Sequence, residues 1–105
     1  MSKSFFFFLA SSLFFTSTFI FSEDKPLRSG KSVYEAACAV CHQNGLAGSP
    51  IFGDKSSWGN RTNKSLEELT YSVKNGLRGM PAMGLCINCS DQELENAVSY
   101  ILNSL

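Results

Sequence analysis

Residues 38 to 42 read Cys38-Ala39-Val40-Cys41-His42, and this stretch holds two of the four cysteines and the only histidine of a 105-residue chain. C-x-x-C-H is the attachment signature of c-type haem. On a helix, residues i, i+3 and i+4 share one face. The thiols of Cys38 and Cys41 then reach the two haem vinyl groups while His42 presents its imidazole to the iron. One short segment fixes a porphyrin and supplies its proximal ligand.

The flanks agree with a helix. Val33, Ala36, Ala37 and Val40 recur at i, i+3, i+4 and i+7 and predict an apolar stripe facing a core. Ser29 or Ser32 caps the start, and Gly45 lies just past the end. A disulfide between Cys38 and Cys41 would leave His42 idle. A zinc site would need a second pair, Cys86 and Cys89, but 44 residues separate Cys41 from Cys86, roughly double the gap usual in such ribbons.

With His42 as proximal ligand, the sixth position on the iron separates an electron carrier from a catalyst or sensor. There is no second His, so the candidates are thioethers, and beyond the N-terminal residues only Met80 and Met83 exist, within Arg78-Gly79-Met80-Pro81-Ala82-Met83-Gly84. Pro81 disfavours helical geometry at Met80. The sequence predicts an extended Gly/Pro loop that lays Met80 across a haem face, with Met83 as the fallback.

The N-terminal quarter is a different object. Eight of the nine Phe fall in the first 22 residues, and the run 5–21 carries no charge, with Lys3 before it and Glu23 and Asp24 after it. This is the profile of a secretory signal peptide spanning 1–22; its alternative is an uncleaved anchor, since seventeen residues reach the lower limit for crossing a bilayer. Five hydroxyl residues within the run (Ser11, Ser12, Thr16, Ser17, Thr18) weigh against the anchor. Both readings place the remainder outside the cytoplasm, either free in the periplasm or held at the inner membrane and facing it.

Residues 23–105 then form one domain of 83 residues with eight Lys/Arg and nine Asp/Glu, a net charge of minus one. Nothing in that balance points to nucleic acid. Leu, Ile, Val and Phe number seventeen of the 83, at the edge below which chains fail to bury a core. A domain this small and sparse needs a staple: a disulfide, a metal or a large cofactor.

Two further helices are legible. Ser65-Leu66-Glu67-Glu68 is a capping box ahead of Leu66, Leu69, Thr70, Val73 and Leu77, with Gly76 as the stop. Ser90-Asp91-Gln92-Glu93 repeats the box ahead of Leu94, Ala97, Val98, Ile101 and Leu105. The Gly-rich segment 43–64 reads as a long loop, too long to be idle in a small domain unless it covers something.

Taken together, the residues from Gly30 to Glu35, Cys38 to His42, Gly48 to Asp54, Trp58, Met80-Pro81 and Cys86-Ile87-Asn88-Cys89-Ser90-Asp91 resemble the class I c-type cytochromes, and within them the cytochrome c-five group. The resemblance covers nearly all of the chain after the leader. It implies an all-α fold of three to four helices wrapped around one covalently attached haem c. It makes Met80 of the Met-Pro pair the sixth ligand, has the Pro50 carbonyl accept from the His42 ring, and brings Trp58 and Arg61 near the haem propionates. It also joins Cys86 to Cys89 in a small disulfide beside the ligand loop and crosses the first helix over the last, Gly30 and Tyr34 near Tyr100. Met83 departs from the family pattern. A ring closed over so few residues constrains the unfolded chain only modestly, so the role expected of the Cys86–Cys89 pair is to stiffen the Met80 loop. A thioredoxin-like redox pair is the alternative, but no βαβ pattern surrounds it.

Two strong axial ligands leave no open position on the iron, so the expected function is a monomeric single-haem electron carrier and no enzyme. It would shuttle one electron between redox proteins such as an oxidase, a reductase or another cytochrome, and dock weakly and salt-sensitively. The alternatives are a haem enzyme or ligand sensor in which Met80 leaves the iron, and a colourless domain stapled by two disulfides.

Overall fold

A computed structural model of the chain describes residues 11–22 and 24–105. Residues 1–10, which hold the start of the expected leader, and Glu23 lie outside the described residues. Residues 11–22 form no helix or strand and are exposed. Among the described residues, no helix is long and apolar enough to cross a membrane.

The first helical run begins where Ser29 caps it, the Ser29 Oγ accepting from the Ser32 N–H at 3.1 Å. It passes from α1 (Gly30–Val33) through a π-helical stretch (Tyr34–Cys38) into α2 (Ala39–His42). That wider stretch corrects the stripe expected at a spacing of 3.6. Ala36 and Val40 point outward, Val40 being 63% exposed. The buried and half-buried positions instead fall at 33–34, 37–39 and 41–42. An i→i+5 turn takes in more residues per turn than an α-turn, so the inner face recurs every fourth residue and carries Cys38, Cys41 and His42 round to it together.

The segment expected as plain loop is more ordered than its glycines suggest. A 3₁₀ turn covers Leu46–Gly48, and α3 (Lys55–Trp58) follows, continued by a 3₁₀ turn at Gly59–Asn63. Asp54 is the cause: its side chain accepts from the Ser57 N–H and starts α3.

Both predicted capping boxes are present, Ser65 with Glu68 ahead of α4 (Leu66–Asn75) and Ser90 with Glu93 ahead of α5 (Asp91–Leu102). Gly76 ends α4 with φ 83°, so Leu77 lies outside the helix and is exposed. On α5, Leu94, Ala97, Val98 and Ile101 are buried as the pattern predicts, while Leu105 lies past the helix end and is half-buried.

α1 packs on α5 through Gly30. A Cβ added there would collide with the Asn96 carbonyl oxygen and lie 3.0 Å from Tyr100 Cβ. Only glycine permits this close crossing. Two apolar groups result: Val33, Cys86, Cys89, Leu94 and Ala97 form one, and Tyr34, Trp58 and Ile101 the other. Tyr34 stacks obliquely on Phe52 at 4.6 Å and on Tyr100 at 5.5 Å, joining the first run to the last helix.

Candidate haem site

The site grows from α2. Its last residue, His42, is buried with 9% of its surface exposed. The ring Nδ1 lies 2.7 Å from the carbonyl oxygen of Pro50. A carbonyl can only accept, so Nδ1 is the donor, and in the neutral ring the lone pair is then on Nε2. An imidazole held this way is prepared to ligate a metal through Nε2. One and four residues back, Cys41 and Cys38 are half-buried free thiols. Burial pushes the Cys38 thiol up from its ordinary value. Two unpaired thiols and an oriented imidazole within five residues are a donor set that fits a covalently attached haem.

Pro50 belongs to the segment that faces α2. The Phe52 N–H donates to the His42 carbonyl at 2.7 Å. Trp58, at the end of α3, lays its indole nearly parallel to the imidazole, with ring centroids 5.4 Å apart and planes 15° from parallel. Its Nε1–H donates to the Ile51 carbonyl at 2.8 Å. The Arg61 guanidinium donates to the Trp58 carbonyl at 3.4 Å and, with Asn60, Lys64, Leu77 and Arg78, lines a cavity of about 340 Å³.

Met80 closes a tight turn and lies outside any helix, as the following Pro81 implies. Leu77 and Met80 exchange both backbone hydrogen bonds, at 3.1 and 2.9 Å, and Arg78 between them adopts φ 52°. The Met80 Cε lies 3.4 Å from where a Cβ on Gly84 would stand. Met83 is placed differently: it packs against the core group that contains Val33 and Leu94.

Beyond the methionines, Cys86 and Cys89 are bonded to each other and buried, with Cα atoms 5.4 Å apart. The Arg28 guanidinium covers the pair, 3.4 Å from Cys89 Sγ, and is also bound to the Glu93 carboxylate. This clasp ties the chain ahead of α1 to the start of α5. The sequence offers no local signal for it, because Arg28 and Glu93 are 65 positions apart. Ser57, whose hydroxyl accepts from the Ile51 N–H beside Pro50 at 2.8 Å, has no local signal either, although Asp54 three residues earlier marks the cap that places it.

The chain is similar to proteins of known family. Residues 25–101 match the family described as cytochrome c oxidase, cbb3-type, subunit III. The chain is 36% identical over 77 residues to cytochrome c-555 of Chlorobaculum tepidum, covering 70% of this chain and 71% of that one. It is 38% identical over 73 residues to cytochrome c5 of Azotobacter vinelandii, covering 68% and 88%. Among solved structures, the cytochrome c of an electron transfer complex with nitrite reductase superposes with a TM-score of 0.69 at 31% identity, over 75% of this chain and 98% of that one.

Proposed function

Since the chain belongs to the class I c-type cytochromes, single-haem electron carriers and not enzymes, we propose that Cys38, Cys41, His42 and Met80 hold its haem c. Cys38 and Cys41 form the two thioethers, His42 is the proximal ligand through Nε2, and Met80 is the distal ligand. A bound haem supplies a one-electron iron centre whose potential thioether ligation raises. His42 is held by the Pro50 carbonyl and Met80 by its paired hydrogen bonds with Leu77, so both side chains would hold the group from backbone that is itself fixed.

The hydrogen bond from His42 Nδ1 to Pro50 carries this reading, because it occupies that nitrogen and leaves Nε2 available for metal ligation, with two free thiols within four residues. The packing of Met83 into the core supports Met80 as the distal ligand. Arg61, Lys64 and Arg78 bring three cations to one cavity and offer fitting surroundings for the carboxylates of the haem. Trp58 backs the proximal ring. The Cys86–Cys89 bond and the Arg28 clasp stiffen the loop that presents Met80.

Residues 1–22 are read as an export signal, or as an anchor if retained, and 23–105 as a monomeric carrier outside the cytoplasm. The partners are redox proteins; the solved complex with nitrite reductase makes a reductase a reasonable electron acceptor. The visible and near-infrared spectrum of protein matured with a haem-attachment system tests the reading. A ferric methionine–iron band, and no carbon monoxide uptake by the reduced form, are expected. Carbon monoxide uptake at neutral pH would favour a sensor or enzyme instead.

A further inference from the structure

We infer that Ser57 is a positioning residue for the His42 imidazole, acting through the rigid peptide unit that joins Pro50 to Ile51. The inference rests on His42 being the proximal ligand and adds what holds it. The Pro50 carbonyl and the Ile51 N–H belong to one planar group. Its oxygen accepts from His42 Nδ1 at 2.7 Å, and on its other edge the Ile51 N–H donates to Ser57 Oγ at 2.8 Å.

The next peptide unit repeats the construction. The Phe52 N–H donates to the His42 carbonyl at 2.7 Å, and the Ile51 carbonyl accepts from Trp58 Nε1–H at 2.8 Å. Two consecutive planes therefore bridge His42 to α3, one ending on Ser57 and the other on Trp58. Ser57 is itself fixed, its hydroxyl donating to the Asp54 carbonyl at 2.7 Å.

A plane held at both edges cannot rotate, so the Pro50 oxygen stays aimed at the ring. A hydrogen bond accepted from the N–H side of an amide also polarises its carbonyl, which becomes a stronger acceptor. A stronger acceptor on Nδ1–H makes the ring a more basic ligand, which favours ferric over ferrous iron. Ser57 thus orients the imidazole and holds the potential down, opposing the thioether on the other face.

The test compares Ser57→Ala and Ser57→Thr with wild type in the haem-loaded protein, reading exchange of the His42 Nδ1–H by NMR and the reduction potential. Alanine should speed the exchange about five- to tenfold, as expected for loss of one hydrogen bond, and raise the potential; threonine, which keeps the hydroxyl, should restore both. Wild-type exchange and potential in Ser57→Ala, with only a lowered melting temperature, would overturn the inference. Should that variant fail to fold, Trp58→Phe reads the second plane: it keeps the ring stack, loses the donor to Ile51 and should speed the same exchange, and unchanged exchange would again be contrary. Histidine ring protons without hyperfine shifts in the ferric wild type would instead refute His42 as ligand, while the exchange comparison still judges the clamp.

Discussion

His42 and Pro50 are eight residues apart and meet at 2.7 Å, the ring nitrogen donating and the carbonyl accepting. The reading of function depends on this one bond, since it decides which nitrogen is free. Pro50 contributes only its carbonyl, which no side-chain substitution removes.

Met80 and Met83 should separate cleanly. Met80→Ala should abolish the ferric methionine–iron band in the near infrared and leave stability of the protein part little changed. Met83→Ala should keep the band and cost about 2 kcal/mol, as for truncation of a partly buried core side chain. Optical spectra and thermal melts on the two variants check both. The opposite assignment of the band would make Met83 the ligand.

Gly30→Ala should be severe for a surface-near helix position. The new methyl meets backbone of α5, at the Asn96 carbonyl, with Tyr100 Cβ close behind, and backbone cannot give way as a side-chain tip would. Overpacking of this kind costs about 2–3 kcal/mol, or about 10 °C or more in melting temperature for a domain of this size. A melt within a few degrees of wild type would show that the α1–α5 crossing is looser than described.

Acid should weaken the fold through Glu93. The Arg28 side chain, and after it the Ser90 backbone, hold its carboxyl at about 2, against an ordinary value of 4.5. A carboxylate lowered by folding stabilises above its unfolded pKa, and that contribution is lost as pH falls through the folded one. Stability should therefore decline from about pH 4.5 toward pH 2. Glu68, lowered by the Ser65 backbone, and Asp54, lowered by the Ser56 hydroxyl, act in the same direction. Glu93→Gln should thus flatten part of the slope in melting temperature against pH, and an unchanged slope would remove Glu93 from the account.

Legibility in the sequence followed the range of the interactions. The two capping boxes and the α5 stripe are local, fixed by residues three or four apart, and appear where the pattern places them. The Cys38-x-x-Cys41-His42 motif is local in the same way, all three side chains falling within five residues. The π-helical stretch has no local signature in the sequence; it begins at Tyr34, whose ring packs against the distant Phe52 and Tyr100, contacts that no 3.6-residue rule contains. Ser57 and Arg28 were missed because their partners are a backbone amide and a carboxylate brought in by the fold.

Arg78 carries a backbone price for its position. A non-glycine residue at φ 52° is strained, by about 1 kcal/mol, and asparagine tolerates that region better. Arg78→Asn should raise the melting temperature by a few degrees and, by taking a cation from the cavity it shares with Arg61 and Lys64, lower the reduction potential. Voltammetry and a thermal melt measure both, and an unchanged potential would place the haem carboxylates away from this cavity.

Covalent attachment at residues 38–42 is the claim on which the rest stands, and mass spectrometry of peptides from protein matured with haem-attachment machinery tests it most directly. The peptide containing Cys38, Cys41 and His42 should carry the mass of one haem, with both thiols refractory to alkylation. A haem-free peptide in which Cys38 and Cys41 both alkylate would contradict the account.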